Sequence, residues 1–191
     1  MKLRPIILAA ALAIALVDAA TPASATNIEA TNAEEVCTVG SVAVREGESV
    51  PAEIPLVVSC FTSLAAAEEF IEAGAPGDLE QLVPKARGEV TPMNTVIIGR
   101  QYTGTNRSGT VLVQWGTGSG CYGVTYGYPS MPAGWNDVIR SSEGFNNCWV
   151  SNYTSTSYAG SVLNCTPYCS AMGSFAALTS SVVYRPSGTF G

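Results

Sequence analysis

Gln101-Tyr102-Thr103-Gly104-Thr105-Asn106-Arg107-Ser108-Gly109-Thr110-Val111-Leu112 is answered fifty-one residues later by Asn152-Tyr153-Thr154-Ser155-Thr156-Ser157-Tyr158-Ala159-Gly160-Ser161-Val162-Leu163. Tyr, Thr, Thr, Gly, Val and Leu coincide, so each copy reads as tyrosine, six residues, glycine, then a strand. An internal repeat of this kind marks a duplicated structural unit. Each copy later reaches an aromatic residue and a serine pair: Trp135 before Ser141-Ser142, and Phe175 before Ser180-Ser181.

The spacing has a physical reading. A chain that folds back on itself needs positive φ at the reversal, and Gly109 and Gly160 supply it without a Cβ clash. Tyr102 and Tyr153 stand where their rings can pack over the bend. A serine hydroxyl from a later strand can satisfy backbone groups that the bend leaves unpaired. Two such four-stranded units each leave an apolar face bare, so they are expected to pack together as a sandwich.

Texture supports this beyond Pro92, where Gly, Ser, Thr, Tyr and Asn dominate and no helical period appears. Before it the chain is acidic. Residues 26–97 hold twelve acids and three bases, whereas residues 98–191 hold two acids, Asp137 and Glu143, and four arginines. Such asymmetry suggests separate modules. The acidic part reads as α+β: strands near Val36–Val44 and Leu56–Phe61, and a helix from Leu64 to Ala73 capped by Ser63 and stopped by Gly74 and Pro76. Asp78 with Gln81 is capping-box-like and opens another turn, interrupted near Pro84.

Residues 1–25 read as a signal peptide: Lys2 and Arg4, an apolar core from Ile6 to Val17, and Ala23-Ser24-Ala25 as a small-residue cleavage site. No later stretch reaches the about 18 consecutive apolar residues of a membrane helix. A secreted, extracellular protein without a membrane partner is therefore expected. A net charge of −6 and the absence of a basic stripe argue against nucleic acid as a partner.

All six cysteines lie in the exported part. An even count there reads as disulfides, with many pairings open. Cys37–Cys60 would staple the two early strands, Cys121–Cys148 would close the long loop of the first repeat, and Cys165–Cys169 would clip Thr166-Pro167-Tyr168. Zinc is the competing reading, weakened by the absence of a C-x-x-C pair and of any histidine. Without histidine there is no Ser-His-Asp triad and no Cys-His pair. Asp137 and Glu143 are the only acids left for chemistry past residue 98, six apart on an expected loop, so no catalytic residue is assigned and a non-enzyme is expected.

The aromatic-x6-Gly hairpin, the Trp135-Asn136-Asp137 stretch and the closing serines resemble the βγ-crystallin Greek-key motif, present twice. With the signal sequence and cysteines, the chain resembles secreted bacterial peptidase inhibitors of that fold, typified by the Streptomyces metalloproteinase inhibitor. The resemblance implies an all-β C-terminal domain over residues 96–191, two Greek-key motifs forming a βγ-crystallin-like sandwich, preceded by a small α+β N-terminal segment over residues 26–95. It implies a secreted non-enzymatic peptidase inhibitor whose partner is an extracellular protease. The alternatives are a calcium-binding or structural extracellular module and, behind it, an antimicrobial toxin-like protein.

The family's calcium motif is two Asn/Asp, two variable residues, Ser/Thr and Ser, oxygens suited to a hard cation. Here it is degraded. Starting at Asn136-Asp137 places Arg140 in the hydroxyl slot, ending at Ser141-Ser142 places Val138 in the second acidic slot, and the second copy, Ala176 to Ser181, lacks both acids. Asn136, Asp137, Ser141 and Ser180 are the weak calcium candidates, and no other cofactor is implied. Inhibition would need a rigid exposed loop. Tyr122, Tyr126, Tyr128, Pro129, Met131, Pro132 and Trp135, on the Cys121–Cys148 loop, are candidate anchors, but the family's inhibitory loop matches no motif here and its position stays unknown.

Overall fold

The computed structural model describes residues 35–45, 47–83 and 94–191. The signal-peptide segment and the stop near Pro84 lie outside the described residues. The expected repeat is eight strands. The first unit comprises β4 (Thr95–Tyr102), β5 (Val111–Thr117), β6 (Val124–Tyr128) and β7 (Ser141–Gly144). The second comprises β8 (Cys148–Tyr153), β9 (Val162–Cys165), β10 (Tyr168–Cys169) and β11 (Ser181–Pro186).

Each unit gives one strand to the other's sheet. β10 pairs with β7, and β6 pairs with β11. Within a unit the order is second, first, fourth strand, as in β5-β4-β7 and β9-β8-β11. The C-terminal region is thus two Greek keys with exchanged third strands, the βγ-crystallin-like sandwich that the resemblance implied. Alternation along the strands sends Ile98, Leu112, Tyr126, Tyr128, Val150, Val182 and Tyr184 into the core between the sheets.

The segment before residue 96 carries three strands and two helices: β1 (Val36–Ser41), β2 (Val44–Arg45), β3 (Val58–Phe61), α1 (Leu64–Glu72) and α2 (Asp78–Leu82). Its strands continue both sheets. β1 runs parallel to β5 and antiparallel to β3, giving the order β10-β7-β4-β5-β1-β3, while β2 pairs with β6 at the end of the second sheet. All six residues of β1 are buried, and Val39 lies in the inter-sheet core. The charge break near residue 95 therefore coincides with no break in the hydrogen-bonded sheets.

α1 follows the expected reading: Ser63 accepts from the Ala66 amide at 3.2 Å, and Ala67 and Ile71 are buried. They pack with Tyr102, Val111, Val113 and Trp115, so α1 covers one face of the six-stranded sheet as a third layer. α2 departs from its expected box. Gly77 is the N-cap, with no side-chain cap bond. Asp78 is instead buried and accepts from the Ser59 hydroxyl at 3.0 Å, because β3 lies beside it.

Candidate functional site

The hairpins after β4 and β8 set the geometry of one end of the sandwich. Gly109 and Gly160 take φ of 77° and 81°. A Cβ there would meet the Thr103 and Thr154 hydroxyls at 2.4 Å. Ser141 Oγ donates to the Gly104 carbonyl at 2.7 Å and accepts from the Arg107 amide at 3.2 Å. Ser181 repeats this, donating to Ser155 at 2.6 Å and accepting from Tyr158 at 3.0 Å. Tyr153 lies edge-on to Tyr158 of its own bend, ring centroids 6.1 Å apart. Tyr102 reaches its bend indirectly: its hydroxyl donates to Glu143 at 2.5 Å, and Glu143 binds Arg107 Nε at 2.5 Å. Arg107 in turn lies 3.8 Å from the centroid of the Tyr168 ring. Burial and the Glu143 carboxylate push the Tyr102 hydroxyl up to about 12.

These contacts divide the four calcium candidates. Ser141 is fully buried in its hairpin lock, apart from the other three. Asn136, Asp137 and Ser180 come together. Ser180 Oγ lies 3.3 Å from Asp137 Oδ1 and 3.4 Å from the Thr154 carbonyl, and the Asn136 amide donates to Asp137 Oδ2 at 2.7 Å. The Asp137 amide donates to Thr179 at 3.1 Å, and in the other unit Ala177 donates to Ile139 at 2.7 Å. Likewise Ser180 donates to Tyr153 at 2.8 Å and Arg140 to Tyr102 at 2.8 Å. The true equivalents are therefore Asp137 with Ala177, Ser180 with Arg140, and Ser181 with Ser141. The serine pairs are out of step by one residue relative to the sequence match. In the second copy of the cluster an alanine replaces the carboxylate and an arginine the hydroxyl. Of these two corners, the one at Asp137 brings a carboxylate and a hydroxyl together beside the Thr154 carbonyl, few ligands for a cation that prefers 6–8.

Asp137 and Glu143 do not form a catalytic pair. Asp137 is exposed on its loop at φ 57°, whereas Glu143 is buried with one oxygen on Tyr102 and the other on Arg107. Among the described residues, the one group of three candidate metal ligands is Glu35, Cys37 and Cys60, and its two sulfurs are bonded to each other.

The opposite end is held by one disulfide, Cys121–Cys148. The cysteines pair as Cys37–Cys60, Cys121–Cys148 and Cys165–Cys169. The turn between β5 and β6 is pinned by Cys121, whose amide donates to Asn146 at 3.0 Å and whose carbonyl accepts from Asn147 Nδ2 at 2.8 Å. Tyr122 on that turn is 64% exposed. The other candidate anchors of this loop are core. Tyr126, Tyr128, Pro129, Met131, Pro132 and Trp135 are all buried. Tyr126 and Tyr128 donate at 2.7 Å to the carbonyls of Thr117 and Trp115. The exchange of β6 into the second sheet, which no spacing in the sequence displays, carries these residues inward.

The run Leu56–Phe61 also divides. Only Val58–Phe61 is strand, while Leu56 and Val58 are 43% and 39% exposed. Pro51 and Pro55 were the available signal, since proline cannot donate to a ladder.

No family model matches the chain, and no curated protein sequence does. Among solved structures it is similar to the N-terminal domain of Protein S, at 13% identity and a TM-score of 0.38, over 47% of this chain and 96% of that one. It is similar to a βγ-crystallin domain from Flavobacterium johnsoniae at 14% identity and a TM-score of 0.34, over 49% of this chain and 99% of that one. It is also similar to a βγ-crystallin from Ciona intestinalis at 16% identity and a TM-score of 0.34, over 46% of this chain and 96% of that one.

Proposed function

We propose that this chain is a secreted, non-catalytic inhibitor of an extracellular peptidase, of the type the sequence resembles in the Streptomyces metalloproteinase inhibitor. The observation that carries the reading is a scaffold with three disulfides that holds exposed apolar side chains beside its bridges. Tyr122 stands next to Cys121, and Leu56 and Val58 precede Cys60. Such groups lose little freedom on binding, so more of the contact energy appears as affinity. The bridges suit an oxidising compartment. Among the described residues no helix is long and apolar enough to cross a membrane. Purified protein incubated with metallo-, serine and cysteine endopeptidases is expected to inhibit at least one at micromolar concentration or below. Full activity of every enzyme in the panel would end this reading.

The Asp137 corner favours a second one, an extracellular structural module with a weak calcium site. Titration calorimetry with calcium chloride would then give heat that disappears in Asp137→Ala. No heat from the parent protein would remove that alternative.

A further inference from the structure

Two exposed stretches compete for the contact surface. Resting on the inhibitor reading, we propose that Ala52–Val58, and not the Tyr122 turn, is the segment that enters the peptidase cleft, with Leu56 as the side chain filling its principal pocket.

The backbone makes the distinction. A cleft that cuts peptides receives several residues in extended form and completes their main-chain hydrogen bonds, much as an added strand does at a sheet edge. The Tyr122 turn is closed on itself. Its amide donates to Gly120 at 2.9 Å, and Cys121 is bonded on both sides by Asn146 and Asn147. Residues 53–57 form neither helix nor turn. Among the described residues the main chain of 52–57 makes no hydrogen bond within the protein. Pro51 and Pro55 restrict φ, and the residue before each proline is biased to the extended region.

Both ends of the stretch are anchored. The Pro51 carbonyl accepts from the Tyr158 hydroxyl at 2.9 Å, and Val57 is buried one residue before β3 begins. Cys60 then ties β3 to β1. From this stretch into β3, aliphatic side chains recur at every second position, Ile54, Leu56 and Val58. Ile54 is half-buried, and the other two are open to solvent. A shallow groove of about 300 Å³ runs alongside, lined by Ile54, Leu56, Pro129 and Thr156. It leaves room for the rim of a partner. The chemistry selects an endopeptidase that binds extended chains and prefers a branched aliphatic side chain over an aromatic or basic one.

The test uses the full exported chain against three endopeptidases, of aliphatic, aromatic and basic preference. The aliphatic-preferring enzyme is expected to be inhibited. Leu56→Glu should weaken that inhibition by about thirtyfold or more, the scale of an interface hot spot. Because Leu56 is exposed, its thermal midpoint should match the parent's, and Tyr122→Ala should leave inhibition unchanged. Mass spectrometry after long incubation should find the first cut beside Leu56. If Tyr122→Ala abolishes inhibition and Leu56→Glu does not, this assignment is wrong and the inhibitor reading survives. If the parent inhibits none of the panel, both fall.

Discussion

Ser141 and Ser181 are small, buried and easily passed over, yet each joins a folded hairpin to the strand that closes its unit. Each makes two hydrogen bonds to backbone groups that have no partner in a ladder. Ser141→Ala or Ser181→Ala should therefore cost about 1–3 kcal/mol each, the penalty for stranding buried polar groups. Urea denaturation would read it as a lowered midpoint with an unchanged slope, and a loss below a few tenths of a kcal/mol would refute the lock. At this scale the sequence was informative about kind and imprecise about place. Gly109, Gly160 and the serines announce themselves through spacing. The pairing of Ser141 with Ser181 does not, because the match by serine pairs aligns Ser141 with Ser180. The hydrogen bonds show it instead: Arg140 donates to Tyr102 as Ser180 donates to Tyr153, so Arg140 occupies the position of Ser180. For the same reason Ser141 sits in the hairpin lock while Asn136, Asp137 and Ser180 lie together.

Among elements, β1 carries the largest consequence. It lies between β5 and β3, is buried throughout, and sends Val39 into the inter-sheet core and Val36 into the cluster beneath α1. A chain starting at residue 62 would expose the edge of β5 and the ring of Trp115, which is fully buried in the intact protein. Unpaired edges of that kind invite aggregation. The shortened chain should consequently lack a cooperative thermal transition and elute as aggregate in size exclusion. A monomeric, cooperatively melting product would show that residues before 62 are dispensable. The helix α1 was readable from its Ser63 cap and the stop at Gly74 and Pro76, both local features. The attachment of β1 was not, since its partner strand is more than seventy residues away in sequence and a parallel pairing leaves no turn to mark it.

The whole molecule buries an unusual amount of phenol. Tyr126, Tyr128 and Tyr184 lie between the sheets, and burial raises the pKa of each, as it does for Tyr158 at the second hairpin. Tyr102 is raised to about 12. In the unfolded chain these hydroxyls ionise near the ordinary tyrosine value of 10.0. Between those limits the unfolded state releases protons that the folded state retains. Stability should accordingly be at its full value below about pH 10 and fall steeply as pH rises toward 12. Phenolate absorbance and near-ultraviolet dichroism followed together would show ionisation and loss of structure in one transition. Ionisation of all the tyrosines with the fold intact would contradict it.

What the sequence alone determined is the repeated unit: two bends of fixed spacing, strands that need a second apolar face, and hence a sandwich, its Greek-key order implied by the motif's resemblance. Those features are local or periodic, and a linear pattern can carry them. Tertiary structure alone decided which side chains remain available. Exchange of β6 into the second sheet placed Tyr126 and Tyr128 in the core, the insertion of β1 and β2 tied the acidic segment to both sheets, and the prolines before β3 left Leu56 in solvent. Exposure depends on what packs above a residue, and no stretch of chain records that about itself.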